Sequence, residues 1–391
     1  MPHSHAAGVS SGRPVTIVLG RVLGALLSAA LVVASGYFWL SYRDIDNNLT
    51  RLGGVRVGEA QQGTAEEPVD RRDQNILVVG NDDRSNLTRA EQEDLHVGPG
   101  QGSKATDTML IVHIPADGSR ATLLSLPRDS YVDIPGQGMG RLNSAFVLAY
   151  NEAGGNEQDK VTAGANALIE TIGNLTGLTI HRYVQIGLLG FYRIANALDG
   201  VPVTLCAPVD DPKSGFKAKK GRTVLDGKEA LQFVRQRYNF PDGRGDLDRV
   251  KRQQYFLTAA FRKVASAGIL LRLNELGDAL RTSLYLDPGF DTLNLARQVQ
   301  GLTADRIKGA TIPNEPATID GQDVLRVDPE RVQRYVSRLL DPPAGANTSP
   351  APASTAPATV PSTTPSTAPS ADPSASPSGS PSQAIDSKCI Y

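Results

Sequence analysis

Ile76-Leu-Val-Val-Gly-Asn-Asp-Asp-Arg84 runs four apolar residues straight into a glycine, two carboxylates and a guanidinium. A short apolar run stopped by turn-forming residues is the pattern of a buried strand. Residues 109–114 and 121–126 repeat it, and residues 183–186 and 201–205 read as further strands. Helical periods lie among and after them, at 144–152, 161–175, 188–198, 225–234, 248–267 and 328–340. Strands interleaved with helices predict a three-layer α/β/α domain with a central mixed sheet over residues 74–340.

Working outward, residues 22–40 hold no charged side chain, and 15–19 extend the apolar run beyond Arg21. That length spans a bilayer core as a helix. Arg13 and Arg21 precede it, and Tyr37, Phe38, Trp39 and Tyr42 cluster at its far end. The charge and aromatic placement predicts one transmembrane helix at 22–42, with residues 1–21 cytoplasmic and the remainder outside the cell membrane. A signal peptide cleaved after Val32-Val33-Ala34 is the alternative. Residues 43–73 are polar and glycine-bearing, as a stalk would be. Residues 341–384 are dominated by Pro, Ser, Thr and Ala, a composition that buries too little apolar surface to offset ordering entropy. They read as a linker to the tail 385–391.

Composition excludes several functions. Net charge is −1 over 391 residues, without the basic excess of a nucleic-acid binder. Five histidines include no HExxH pair, and no GxSxG elbow has a histidine to serve it, which argues against zinc and Ser-His hydrolases. The glycine clusters at 98–102 and 136–140 lack the spacing of a nucleotide loop. Cys206 and Cys389 are the two cysteines, and an oxidising compartment lets them pair, stapling the tail to the domain.

Polar groups gather at predicted strand ends. Asp82 and Arg84 follow the first strand, Asp107 leads into the second, and Arg128-Asp129 ends the third. Two carboxylates with open positions suit Mg²⁺ (or Mn²⁺), which binds through one or two acids plus substrate phosphates. Arg235 and Arg237 stand at i and i+2, sharing one side only if the preceding helix ends near Val234. Arg249 and Arg252, at i and i+3, share a face near the start of the next helix, beside Gln253. So many arginines in a chain of no net positive charge point to a multiply charged anion such as a pyrophosphate.

The segments Ile76–Arg84, Thr106-Asp107-Thr108, Leu126-Pro-Arg-Asp129, Arg141-Leu-Asn-Ser-Ala-Phe146, Leu225-Asp-Gly-Lys-Glu-Ala-Leu231, Arg235-Gln-Arg237 and Asp248-Arg-Val-Lys-Arg-Gln-Gln254 resemble, in this order, the motifs of the LytR-CpsA-Psr family. The resemblance covers residues 74–262. It implies a membrane-anchored phosphotransferase that moves a glycan-1-phosphate from a polyprenyl-pyrophosphate carrier to a hydroxyl of peptidoglycan or another cell-wall acceptor, with Mg²⁺. It implies Asp82 and Asp107 as metal-associated acids, either of which could take the hydroxyl proton. Arg84, Arg128, Arg235, Arg237 and Arg252 match the pyrophosphate-binding arginines, with Gln253 beside them and Arg249 opening the same helix motif. The family's acids near 181–188 are missing from His181-Arg-Tyr-Val-Gln-Ile-Gly-Leu188. A lipid tail needs an apolar slot, since each CH₂ left in water costs about 0.8 kcal/mol. Phe146, Leu148, Leu168, Ile172, Ile186, Leu189 and Phe191 are the candidates to line it. A lipid-pyrophosphate hydrolase and a non-catalytic polyprenyl-phosphate binder are the competing readings.

Overall fold

The structure, a computed structural model, describes residues 15–58, 73–84, 87–95, 97, 102–236, 245–264, 284–299, 302–303, 306–340 and 389–390. Helix α1 (Val15–Asn47) leads to β1 (Thr50–Arg51) and β2 (Gln74–Asp83). After α2 (Arg89–Asp94) come β3 (Gly102–Ile114), β4 (Ala121–Ser125), β5 (Ser130–Ile134) and β6 (Gly138–Arg141). Helices α3 (Ser144–Glu152) and α4 (Glu157–Thr176) follow, then β7 (Arg182–Ile186) and α5 (Leu188–Ala197). Next are β8 (Val201–Leu205), β9 (Val209–Asp211), β10 (Phe216–Ala218) and β11 (Gly221–Leu225). Helices α6 (Gly227–Arg235) and α7 (Gly245–Val264) precede β12 (Leu284–Leu286) and α8 (Thr292–Gln298). The last elements are β13 (Ile307–Thr311), β14 (Glu315–Ile319), β15 (Gln322–Arg326) and α9 (Pro329–Leu340).

Seven strands form the central sheet in the order β1-β12-β7-β2-β3-β4-β13. The sheet is mixed: β2 pairs parallel with β7 and antiparallel with β3. Successive side chains of a strand face opposite sides, and β2 uses both. Leu77 and Val79 pack with Phe146, Leu168 and Ile172 of α3 and α4. Ile76 and Val78 join Leu286 and Phe290 on the other face. Several helix ends carry a local signal, whereas α3 and α5 start without a side-chain cap. Asn156 and Asp226 close capping boxes on α4 and α6, and Gly177, at φ 72°, ends α4 in a left-handed cap.

Besides placing β1, Leu52 and Val55 of the expected stalk 43–73 inside the domain, the structure departs from the sequence reading in two further features. Strands β2 and β3 run to 10 and 13 residues, well past the apolar segments that announced them. Their antiparallel ladder supplies the backbone pairing that lets polar residues stay extended. Secondly, among the described residues no helix is long and apolar enough to cross a membrane. The stretch 22–42 lies inside α1, with Leu31, Val32, Val33 and Leu40 exposed.

Cys206 and Cys389 are joined in a disulfide. Beside it, Ile390 N donates to Thr204 O and Cys206 N donates to Ile390 O, both at 2.8 Å, so the tail adds a strand-like edge to β8. Ile390 is buried with Phe216, Phe233 and Phe256. The linker 341–384 lies outside the described residues.

Candidate functional site

At the end of β2 the ladder with β3 slips twice. Gly80 faces Thr108, Asn81 faces Thr106 and Asp82 faces Ser103. Asp107 is left opposite no residue, so a bulge aims its side chain independently of the pleat. A Cβ on Gly80 would stand 3.2 Å from Thr108 Cβ, and glycine there keeps the two strands close at the slip.

The two carboxylates are held differently. Arg84 grips both oxygens of Asp82, with Nε donating to Oδ1 at 2.9 Å and Nη2 to Oδ2. Arg128 Nη1 donates to Asp107 Oδ1 at 2.7 Å, and its Nε reaches Asp129 at 3.4 Å. Neighbouring Asp83 accepts from Lys104 Nζ at 2.7 Å, and Lys104 also donates to Glu157 of α4 at 2.8 Å. Burial opposes the Lys104 charge, but its bonds to Asp83 and Glu157 outweigh that and raise its pKa. This cation ties the bulge to α4.

A cleft of about 440 Å³ opens beside the bulge. Asp82, Arg84, Asp107, Arg235 and Gln253 form its polar part, and Ile186, Leu188, Phe191, Leu231, Val234 and Phe256 its apolar wall. A smaller cavity of about 40 Å³ adjoins it, lined by Asp107, Pro127, Arg128, Gln253 and Leu325, among others.

Of the residues singled out from sequence, Asp82, Arg84, Asp107, Arg235 and Gln253 thus come together in one cleft, while Arg128 borders the smaller cavity. Helix α6 ends at Arg235, and Gln236 is already extended. Arg237 lies outside the described residues, as does the side chain of Arg249. Arg252 is not in the cleft. It is 1% exposed, with its guanidinium 5.0 Å from the Phe233 ring centre and bonded to buried Gln236. Helical spacing explains this: Gln253 and Leu257, four apart, face the cleft beside Phe256, and Arg252 turns to the interior with Ala259.

The candidate apolar slot divides in the same way. Ile186 and Phe191 line the cleft, whereas Phe146, Leu168 and Ile172, on α3 and α4, are fully buried in the core and do not line it. Leu189 packs behind the cleft with Leu188 and Phe191, and Leu148 is exposed on α3. Apolar spacing alone does not say which face of the sheet a helix covers.

Sequence reasoning missed the hairpin of β9 and β10, whose turn brings Asp211, Lys213 and Ser214 to the cleft. Asp211 is 1% exposed and accepts from Lys213 N at 3.0 Å and Ser214 Oγ at 2.9 Å, fixing the turn. Its signal was the turn composition Asp211-Pro-Lys-Ser-Gly215.

Residues 52–340 match the family model described as the LytR_cpsA_psr family. The chain is 33% identical over 362 residues to the cell wall biosynthesis protein LcpA of Corynebacterium glutamicum, covering 84% of this chain and 66% of that protein. It spans 54% of the length of a second relative from that organism, the probable cell wall biosynthesis protein LcpB, at 33% identity over 65% of this chain. To the polyisoprenyl-teichoic acid–peptidoglycan teichoic acid transferase TagU of Oceanobacillus iheyensis it is 27% identical, covering 81% of this chain and 92% of that one. The solved structure of TagT bound to LI-WTA shares the fold at a TM-score of 0.53 and 20% identity, over 74% of this chain and 97% of that one.

Proposed function

This chain belongs to the LytR-CpsA-Psr family, and we propose that it transfers a glycan-1-phosphate from a polyprenyl-pyrophosphate carrier to a hydroxyl of peptidoglycan or another cell-wall acceptor. One observation carries the reading: a single cleft joins an arginine- and carboxylate-bearing end to an apolar wall. A prenyl pyrophosphate has the same two halves. Arg84, Arg235 and Gln253 would hold phosphate oxygens, and arginine's planar fork suits such pairing better than a lysine point charge. Ile186, Leu188, Phe191 and Phe256 would receive the tail, each buried CH₂ contributing about 0.8 kcal/mol.

The donor set fits Mg²⁺ or Mn²⁺. The bulge brings the carboxylates of Asp82 and Asp107 to one cleft, and no group of three potential metal-binding side chains occurs among the described residues. Mg²⁺ characteristically takes one or two protein carboxylates and completes its shell with water and phosphate. When bound, the ion supplies neutralisation of phosphate charge. In the transfer, the acceptor oxygen forms a bond to the sugar-linked phosphorus. The bond from that phosphorus to the bridging oxygen breaks, and prenyl phosphate leaves with the electron pair. The hydroxyl proton passes to Asp82 or Asp107. Most of the work is positioning and charge stabilisation, as is general for phosphoryl transfer.

The reading includes a membrane. Leu31, Val32, Val33 and Leu40 of α1 are exposed among the described residues, and a bilayer would cover them while keeping the cleft beside its lipid substrate.

The test is a transfer assay with the full chain in detergent, a prenyl-pyrophosphoryl glycan and peptidoglycan fragments, read by mass spectrometry. Glycan-1-phosphate on the fragment is the expected product. Prenyl phosphate released with the glycan-1-phosphate free in solution would favour the hydrolase and sink the transferase.

A further inference from the structure

Asp107, Thr108, Gln253 and Leu257 line both the main cleft and the small cavity, whereas Arg128 and Leu325 line the small one alone. The Asp107 carboxylate therefore stands in the partition between them. Its Oδ1 is engaged by Arg128 from the small-cavity side, and its Oδ2 has no hydrogen-bond partner among the described residues. Asp82 differs, because Arg84 occupies both its oxygens within the main cleft.

Displacement at phosphorus places the attacking and leaving oxygens roughly in line. A donor lying in the main cleft sends its leaving prenyl phosphate toward the apolar wall. The attacking oxygen must then arrive from the side away from that wall, and the small cavity adjoins the cleft at Asp107.

We propose that this cavity is the acceptor subsite. It takes one hydroxyl of the acceptor sugar, which donates to Asp107 Oδ2 while Arg128 and Leu325 bound it. The inference rests on the transfer reading above and deepens it by assigning where the acceptor enters. Size agrees with this occupant. One water needs roughly 10–15 Å³ of comparable volume, so a cavity of about 40 Å³ admits a hydroxyl and its carbon while the sugar ring stays outside. A carboxylate offers about four lone-pair sites, so Asp107 can accept from Arg128 at Oδ1 and from a hydroxyl at Oδ2.

Leu325→Trp fills the cavity from β15 without altering a residue of the main cleft. With the full chain in detergent, donor and acceptor are varied separately, and farnesyl pyrophosphate binding probes the donor side. The expected result is a roughly tenfold or greater fall in kcat/KM for the acceptor, with farnesyl pyrophosphate affinity within about twofold of wild type. Leu325→Ala, which enlarges the cavity, serves if the larger residue impairs folding, and it too should change the acceptor KM alone. Unchanged acceptor kinetics in a folded variant, or parallel losses for donor and acceptor, would overturn the assignment. A wild-type chain that binds farnesyl pyrophosphate yet transfers to no acceptor would instead bring down the transfer reading, and the subsite with it.

Discussion

Arg128 Nη1 lies 2.7 Å from Asp107 Oδ1, fastening the bulged carboxylate of β3 to the arginine that follows β4. Both side chains are partly open to solvent, 22% for Arg128 and 36% for Asp107. Ion pairs this exposed contribute about 0–1 kcal/mol to stability. Their value lies in aim: a carboxylate in a bulge has no ladder to orient it, and the guanidinium does so.

Arg128→Ala should therefore leave the melting temperature close to wild type and reduce transfer by about 100-fold. Arg235→Ala, which empties the polar end of the cleft from α6, should show the same separation of activity from stability. Initial rates set beside calorimetric melting curves decide it. Normal turnover in either folded variant would remove that arginine from the site.

Chelation should abolish transfer, and Mg²⁺ or Mn²⁺ should restore it. Asp82→Asn and Asp107→Asn each remove one anionic ligand, so the concentration of Mg²⁺ giving half-maximal rate should rise about tenfold or more. Identical metal titrations for both variants and wild type would take these residues out of the metal site.

The tail gives a stability prediction. A disulfide closing a long loop typically contributes about 2–4 kcal/mol, and here it also holds Ile390 in the cluster with Phe216 and Phe233. Cys389→Ser should lower the melting temperature and leave Cys206 open to maleimide. In the native protein neither cysteine should label.

His181 gives a pH prediction. Burial, reinforced by the Arg182 charge, holds its pKa below the usual imidazole value, and its Nδ1 accepts from Asn75 N at 3.0 Å. The unfolded chain thus binds this proton more tightly than the folded one. The stabilisation is complete above the ordinary value of about 6.5 and is lost as pH falls from there through the lower folded pKa. Melting temperature measured between neutral and mildly acidic pH should fall across this window. A His181→Gln variant should lose that part of the slope, and an unchanged slope would exclude His181 as its source.

Much of the site was written locally. The sequence by itself determined strands β2, β3, β4, β7 and β8 and helices α3 to α7 and α9, because apolar runs and amphipathic periods follow from short-range geometry. It also determined the motifs that carry Asp82, Arg84, Asp107, Arg128 and Arg235, since each sits at the end of an apolar segment or helix. The pairing of Cys206 with Cys389 followed from there being two thiols and one compartment, and the fold brings them together. Tertiary structure alone decided three things. The register slip between Gly80 and Asn81 freed Asp107 from the pleat, a consequence of how two strands pair and of neither strand alone. The face of α7 that meets the cleft was chosen by packing, which selected Gln253 and Leu257 and sent Arg252 inward beside Phe233. The side of the sheet that each helix covers placed Phe146, Leu168 and Ile172 in the core and left Ile186 and Phe191 to the cleft. Periodicity fixes that a residue is buried, and only the partner across the interface fixes what it is buried against.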